Sequence, residues 1–210
     1  MHPENPLVMF DFDGVVADSF GVFMEVFAGI RHEMGIRQFQ TEAEILELFD
    51  GNPIFTLVRR GFPIWKLRKL AHRFAPQVEA ASHRVQPFPG MAAAVSAVAA
   101  CHPTYVVTSN NSTAVEAFNA RHGITGIIEV IGSDKESSKV KKIKKLRRRH
   151  RHLMPVYLGD TKGDMIEARQ AGAITVAAAW GWHPESTLLT AAPDYVLYSP
   201  SDVRAFFALD

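Results

Sequence analysis

Residues 7–10 of the chain, Leu7-Val8-Met9-Phe10, are apolar without a break. Such a run leaves neither face of a strand for water, so it predicts a fully buried strand. Directly behind it, Asp11 and Asp13 flank Phe12, and Gly14 marks a turn. From 16 to 87 the pattern changes: no buried-strand run occurs, and Phe20, Phe23, Phe27, Ile30 and Met34 recur three and four apart. That spacing is the stripe of an amphipathic helix. Further helices are expected over 41–49, 53–60 and 63–84, punctuated by Gly51-Asn52-Pro53 and Gly61-Phe62-Pro63.

Pro87-Phe88-Pro89-Gly90 marks a second boundary, and beyond it helix and buried strand alternate. Helices are expected over 91–100, 112–122, 138–150, 162–171, 184–190 and 201–208, and strands over 104–108, 127–131, 155–158, 173–178 and 194–197. This alternation predicts an α/β fold, a doubly wound parallel sheet with crossover helices. The expected organisation is a doubly wound core of residues 1–15 and 88–210, interrupted after its first strand by an all-helical insertion, 16–87. An insertion there would sit over the crevice at the strand ends, where ligands bind in open α/β sheets.

Composition narrows the setting. With 47% hydrophobic and 21% charged residues the chain has the usage of a globular protein with a packed core. Lys and Arg number 23 against 22 Asp and Glu, a balance that argues against whole-protein attraction to nucleic acid or membrane. The one cysteine, Cys101, has no internal disulfide or zinc partner, which points to a reducing, cytoplasmic setting. Neither an export signal nor a run of about 20 apolar residues is visible.

In a parallel sheet the C-terminal ends of the strands share one edge, and here they carry chemistry. The first ends in Asp11-Phe12-Asp13-Gly14, the second in Thr108-Ser109-Asn110, and the 155–158 strand in Gly159-Asp160-Thr161-Lys162-Gly163-Asp164. Between the last two, a helix opens at Ser137-Ser138-Lys139, from which Lys139 could reach back to the same edge. The set offers carboxylates for a hard divalent cation such as Mg²⁺, hydroxyl and backbone N–H donors for an anion, and a fixed ammonium. Phosphoryl transfer needs that combination, because its transition state spreads negative charge over three oxygens. A remaining carboxylate could attack phosphorus, and Asp13 could protonate the leaving oxygen and later activate water.

The set DFDGVVADS, VVTSN, a helix-opening lysine and YLGDTKGD resembles, in order and at similar separations, the four motifs of the haloacid dehalogenase superfamily of aspartate-nucleophile phosphohydrolases. The resemblance covers nearly the whole chain. The stretch AWGWHPESTLLTAAPDYVLYSPSDV and the helical insertion resemble the phosphoglycolate phosphatase-like branch, which has a small helical cap. The resemblance implies a Rossmann-like core, a cap formed by 16–87, Mg²⁺ as cofactor and a small phosphorylated metabolite as substrate. It also implies that Asp11 is nucleophile and metal ligand, and that Asp13 is the acid/base whose backbone carbonyl also faces Mg²⁺. Asp160 would ligate the metal, with Asp164 as a further ligand or an anchor behind it. Thr108 with the N–H groups of Ser109 and Asn110 would hold phosphate oxygens, as would the backbone at Gly14 and Val15. Lys139 would bridge phosphate and Asp11. Lys135 competes for that role; Lys139 is preferred because Ser137 or Ser138 can cap its helix. Position 15 is Val where many relatives carry Thr, which removes a hydroxyl and leaves the N–H. Asp13 stands where true dehalogenases and phosphonate-cleaving relatives lack an Asp, so the match points to phosphomonoesters.

Other readings stay open beside this one. A phosphosugar mutase would share the architecture, although Gly51-Asn52-Pro53 lacks the basic cap signature expected of those enzymes. Arg59 and Arg60 could present charge to a substrate. The run KVKKIKKLRRRHRH, 139–152, could serve a non-catalytic anion- or nucleic-acid-binding module. Its Val140, Ile143, Leu146 and Leu153 fall on one stripe, and it has no aromatic residue for stacking, so an amphipathic helix with a solvated basic face is the simpler expectation. His150 and His152 then read as surface residues, Cys101 as a small buried hydrophobe, and Trp180-Gly181-Trp182-His183 as aromatic packing around a turn. Neither the oligomeric state nor the particular substrate is written in these motifs.

Overall fold

A computed structural model describes residues 4–209. The chain forms two compact units, one from residues 4–18 and 87–209 and one from Ser19–Gln86. The first unit is built on a parallel sheet of six strands: β1 (Pro6–Phe10), β4 (Thr104–Val107), β5 (Glu129–Ile131), β6 (Met154–Gly159), β7 (Ile174–Ala178) and β8 (Tyr195–Leu197). Two-residue strands β2 (Ala17–Asp18) and β3 (Gln86–Pro87) flank the insertion. The order in the sheet is β5-β4-β1-β6-β7-β8. The chain runs outward from β1 through β4 and β5, then returns to β1's other side for β6. That reversal creates a crevice at the carboxyl ends of β1, β4 and β6, the switch point of a doubly wound sheet. Register fixes the three ends level, with Phe10 beside both Val106 and Leu158.

The strands are apolar on both faces because both are covered. Leu7, Met9, Tyr105, Val107 and Tyr157 pack with Ile143 and Leu146 of α7 (Lys139–Arg149) and with Ala168 and Ala171 of α8 (Lys162–Ala171). On the opposite face, the Phe10 ring meets Phe207 edge-on, just past α10 (Asp202–Phe206). The remaining core helices are α5 (Met91–Cys101), α6 (Ser112–Arg121) and α9 (Glu185–Leu189). Expected and observed elements agree within a few residues, since each strand is short and flanked by turn residues. Two local expectations do not hold. Cys101 is exposed, because α5 buries Met91, Ala94, Val95 and Val98 and the next position on that stripe is filled by the half-buried His102. His150 is half-buried, with Nε2 2.7 Å from the Tyr105 hydroxyl, so it closes α7 against the sheet.

The Ser19–Gln86 unit is all-helical: α1 (Phe20–Glu33), α2 (Glu42–Leu46), α3 (Pro53–Arg59) and α4 (Leu67–Ala81), with 3₁₀ turns at Glu47–Asp50, Ile64–Lys66 and Ser82–Arg84. Phe27, Ile30, Phe39, Leu48, Leu57 and Leu70 form its own core. Phe23 reaches three rings there, Phe27, Phe49 and Phe74. Thr41 and Glu44 make a reciprocal capping box at α2, and Asn52 caps α3 ahead of Pro53. The expected 63–84 helix is a 3₁₀ turn, then α4, then a second 3₁₀ turn. No helix among the described residues is long and apolar enough to cross a membrane.

Leu146 is fully buried between α7 and the sheet. Leu146→Ala should therefore destabilise the protein by about 2–5 kcal/mol, measured by urea denaturation, as expected for a cavity in a close-packed core.

Candidate active site

The carboxylates of Asp11, Asp160 and Asp164 converge at the β1/β6 ends, with one ligand atom of each within 4.8 Å of the others; all three residues are buried. Asp11 follows β1 and is held at both oxygens. The Phe12 N–H donates to Oδ1 at 2.7 Å, and the Lys139 ammonium donates to Oδ2 at 2.8 Å. Lys139 also donates to Asp164 Oδ1 and lies over the Tyr157 ring. Ser138 caps α7 by accepting the Lys141 N–H at 3.3 Å, which places Lys139 in the first turn, aimed at the sheet. Lys135 donates instead to the Val130 carbonyl at 2.7 Å, away from the carboxylates.

Asp164 serves its own helix as well. Its Oδ2 accepts the Thr161 N–H at 3.1 Å and the Thr161 hydroxyl at 2.7 Å, while its N–H donates back to Thr161 Oγ1, a capping box that starts α8. Both its oxygens are thus engaged. Asp160 is different: Oδ2 accepts the Trp182 N–H at 2.8 Å, but Oδ1 is buried without a hydrogen-bond partner among the described residues.

These surroundings set the acidities. Burial, with the Asp164 charge, raises Asp11 to about 7 against the pull of Lys139. Burial, then the Asp164 and Asp11 charges, pushes Asp160 well above the usual carboxylate range. Burial would raise Asp164 too, but Lys139 and the Thr161 hydrogen bonds hold it below that range. The neighbouring carboxylates keep Lys139 protonated despite its burial. Three carboxylates against one ammonium leave excess negative charge in a place where charge is costly. The unpartnered Asp160 oxygen faces the same deficit, so the donor set fits a hard divalent cation on oxygen ligands.

The other expected residues fall around this cluster in different ways. Asp13 is half-buried, and its Oδ2 accepts the Asn110 side-chain N–H at 3.3 Å, so its carboxylate stands outside the three-carboxylate group. Thr108 is buried at the end of β4, and its Oγ1 accepts the Asn110 N–H at 3.0 Å; that N–H is engaged within its own loop. Ser109 is exposed. The Gly14 N–H donates to Ala17 O at 2.9 Å and the Val15 N–H to Phe12 O at 3.4 Å, so both expected backbone donors are occupied inside the loop. Gly14 matters for another reason. With φ at 77°, it sits where any Cβ would collide with Asp160 Oδ2 and the Trp182 ring.

Two contributions escaped the sequence reading. Lys142, expected on a solvated face, is buried and donates to Thr108 O at 2.5 Å; burial and then the Lys139 charge lower it to about 8. The Trp180–His183 turn does more than pack. Beyond the Trp182 N–H on Asp160, the His183 N–H donates to Asp160 O at 3.2 Å, and buried His183 accepts the Lys162 N–H on Nδ1 at 3.1 Å. Gly181 leaves no room for a Cβ between Asp160 and Gly14 O. The signal was the glycine between two tryptophans at a strand end; its partner could not be named without the sheet order.

The sequence profile of the haloacid dehalogenase-like hydrolases matches residues 8–178, from β1 to the end of β7. The chain belongs to the haloacid dehalogenase-like hydrolases. It is 28% identical over 202 residues to a phosphoglycolate phosphatase of Synechococcus elongatus, covering 93% of this chain and 94% of that protein. Its fold matches a haloacid dehalogenase-like family hydrolase from Streptococcus pneumoniae at a TM-score of 0.80 and 23% identity, over 95% of this chain and 97% of the other. A hydrolase from Pseudomonas syringae gives 0.78 at 18% identity, over 98% of each. This haloacid dehalogenase-like hydrolase is thus an enzyme of the phosphatase kind, similar in sequence to a phosphoglycolate phosphatase.

The raised acidities make a prediction for the metal-free protein. Asp11 and Asp160 bind protons more tightly folded than unfolded, so their contribution to stability is complete below the ordinary carboxylate pKa of 3.8 and is lost as pH rises through about 7 for Asp11. Urea denaturation in EDTA should show stability falling over this window, with a shallower fall for Asp160→Asn.

Proposed function

We propose that the chain is a Mg²⁺-dependent phosphatase that passes the phosphoryl group of a small phosphomonoester to Asp11 and then to water. The observation that carries this reading is the buried trio Asp11, Asp160 and Asp164 around a single ammonium, with one Asp160 oxygen unpartnered. Asp11, Asp160 and the Asp13 carbonyl would hold Mg²⁺, with Asp164 behind them as an anchor for Lys139 and α8. When bound, the ion neutralises charge developing on the transferring phosphoryl oxygens.

Asp11 must be ionised to attack, and Lys139 supports that state while fixing the carboxylate's direction. An Asp11 oxygen forms a bond to phosphorus as the bond from phosphorus to the leaving oxygen breaks. Asp13 gives its proton to that oxygen. Asp13 then takes a proton from water, whose oxygen bonds to phosphorus as the Asp11–phosphorus bond breaks, restoring both residues. Asn110, hydrogen-bonded to Asp13, orients this acid/base. Thr108, tied to α7 through Lys142, would offer its hydroxyl to a phosphate oxygen. The helical unit Ser19–Gln86 we read as the family's cap on its place in the chain alone, immediately after the loop that carries Asp13. The curated relative suggests phosphoglycolate as the first substrate to try.

Release of phosphate from p-nitrophenyl phosphate and a panel of small phosphomonoesters tests the reading. Turnover should need Mg²⁺ and stop in EDTA. Asp11→Asn should lower kcat by at least about 10³-fold, as removal of a nucleophile does elsewhere, and Asp13→Asn by about 10²–10⁴-fold, the usual worth of a general acid/base. Metal-dependent turnover that survives Asp11→Asn would refute the covalent route. Independently of activity, Mg²⁺ should raise the Tm of the wild type and leave that of Asp160→Asn unmoved.

A further inference from the structure

Helix α7 carries five lysines and three arginines in its eleven residues and no acid. Some of these cations have evident employment. Lys139 and Lys142 turn inward to Asp11, Asp164 and Thr108, and Arg147 donates to Ala171 O at 2.7 Å. Arg149 pairs with Glu129 at 3.1 Å. The helix dipole favours cations in the last turn, which suits the three arginines. It disfavours Lys141 in the first.

Lys141, Lys144, Lys145 and Arg148 remain. They stand at i, i+3, i+4 and i+7, so they form one exposed face about 10 Å long. None of these four side chains makes a hydrogen bond or ion pair among the described residues, and like charges at this spacing destabilise a helix. They line one wall of a groove of about 300 Å³ beside β5, the edge strand of the sheet. The two acids in the groove form no ion pair with them, although the Ser138 N–H and then the Lys141 charge help lower Glu136. Glu129 is held by Arg149 and by Lys135 at 3.6 Å, and Glu136 accepts the Ser138 N–H at 3.0 Å. Asp11, Asp160, Asp164 and Lys139 are not among the groove's lining residues; Lys142 borders the groove too, but its ammonium is spent on Thr108 O.

We infer that this groove is a binding site for an oligophosphate anion, a short chain of closely spaced phosphoryl groups neutralised by Lys141, Lys144, Lys145 and Arg148. Several observations choose that chemistry. The stripe presents lysines mainly, compact point charges that serve phosphoryl oxygens without the forked geometry a carboxylate exploits with arginine. The groove is sized for a small ligand. Among the described residues Ile131 is its sole apolar lining and no aromatic ring lines it, so nothing there would stack a base, as binders of single-stranded nucleic acid do. Occupancy would relieve the repulsion that the helix otherwise carries.

The test is calorimetric titration of the full chain with tripolyphosphate in Mg²⁺-free buffer, at low and high salt. The wild type should bind, more weakly as salt rises. Lys144→Gln/Lys145→Gln/Arg148→Gln should raise Kd at least about tenfold, and the single Lys145→Gln variant by an intermediate factor. Tripolyphosphate should raise the Tm of the wild type but not of the triple variant, whose own Tm without ligand should equal or exceed the wild-type value. Absence of binding by the wild type, or an unchanged Kd in both variants, would overturn the site. A single-stranded oligonucleotide that binds tenfold more tightly than tripolyphosphate in the same buffer would overturn the ligand class in favour of nucleic acid.

Discussion

Everything at the strand-end edge depends on one buried ammonium. Lys139 lies between Asp11 and Asp164, and no other cation reaches the three carboxylates within ion-pair distance among the described residues. A buried ion pair gains stability only when its remaining charge and hydrogen-bonding capacity are answered. Here the answer is incomplete by design of the chain: Asp164 is saturated, Asp11 is held at both oxygens, and Asp160 retains a bare one. The imbalance tunes the site. Together with burial it raises Asp11 to about 7, and a divalent cation on these oxygens would offset the excess negative charge.

Holding such a cluster requires that its surroundings cannot relax. The parallel register sets Asp11 and Asp160 just beyond level residues of adjacent strands, and the Trp180–His183 turn closes over Asp160 with two backbone N–H groups. Glycine at 14 and 181 follows from that closeness, because Asp160 occupies the space a Cβ would need. His183 fixes the turn to the start of α8, the same helix whose capping box holds Asp164. The carboxylate cluster and the helix capping are thus one network, and a change in either disturbs both.

Helix α7 divides its charge between two tasks. Its inward lysines reach the strand ends at Asp11 and Thr108, while its apolar stripe, Ile143 and Leu146 with Val140 and Leu153, packs on the sheet. The outward cations face the groove beside β5. The whole chain stays near neutrality, at +1, so this helix concentrates a charge that the rest of the molecule offsets. Local field, not net charge, decides what such a surface attracts.

Much of this was legible in order. Unbroken apolar runs ended by Asp, Thr-Ser-Asn or Gly-Asp gave away both the parallel sheet and its chemical edge, because a strand buried on both faces has few alternatives. Ser138 before Lys139 marked the helix start, since capping is a local matter. The sequence by itself determined the elements, their alternation and the residue types gathered at the strand ends. Tertiary structure decided which cations turn inward. Lys142 and Lys144 look alike in sequence, yet one is buried on a carbonyl and the other exposed, because α7's orientation follows its packing against β4 and α8. It also decided that the Asn110, Gly14 and Val15 N–H groups bond within their own loops, and that the Trp180–His183 turn grips Asp160. Periodicity reports which face of an element is apolar; the partner that face or turn meets is set by the order of strands, and that order is a non-local property of the fold.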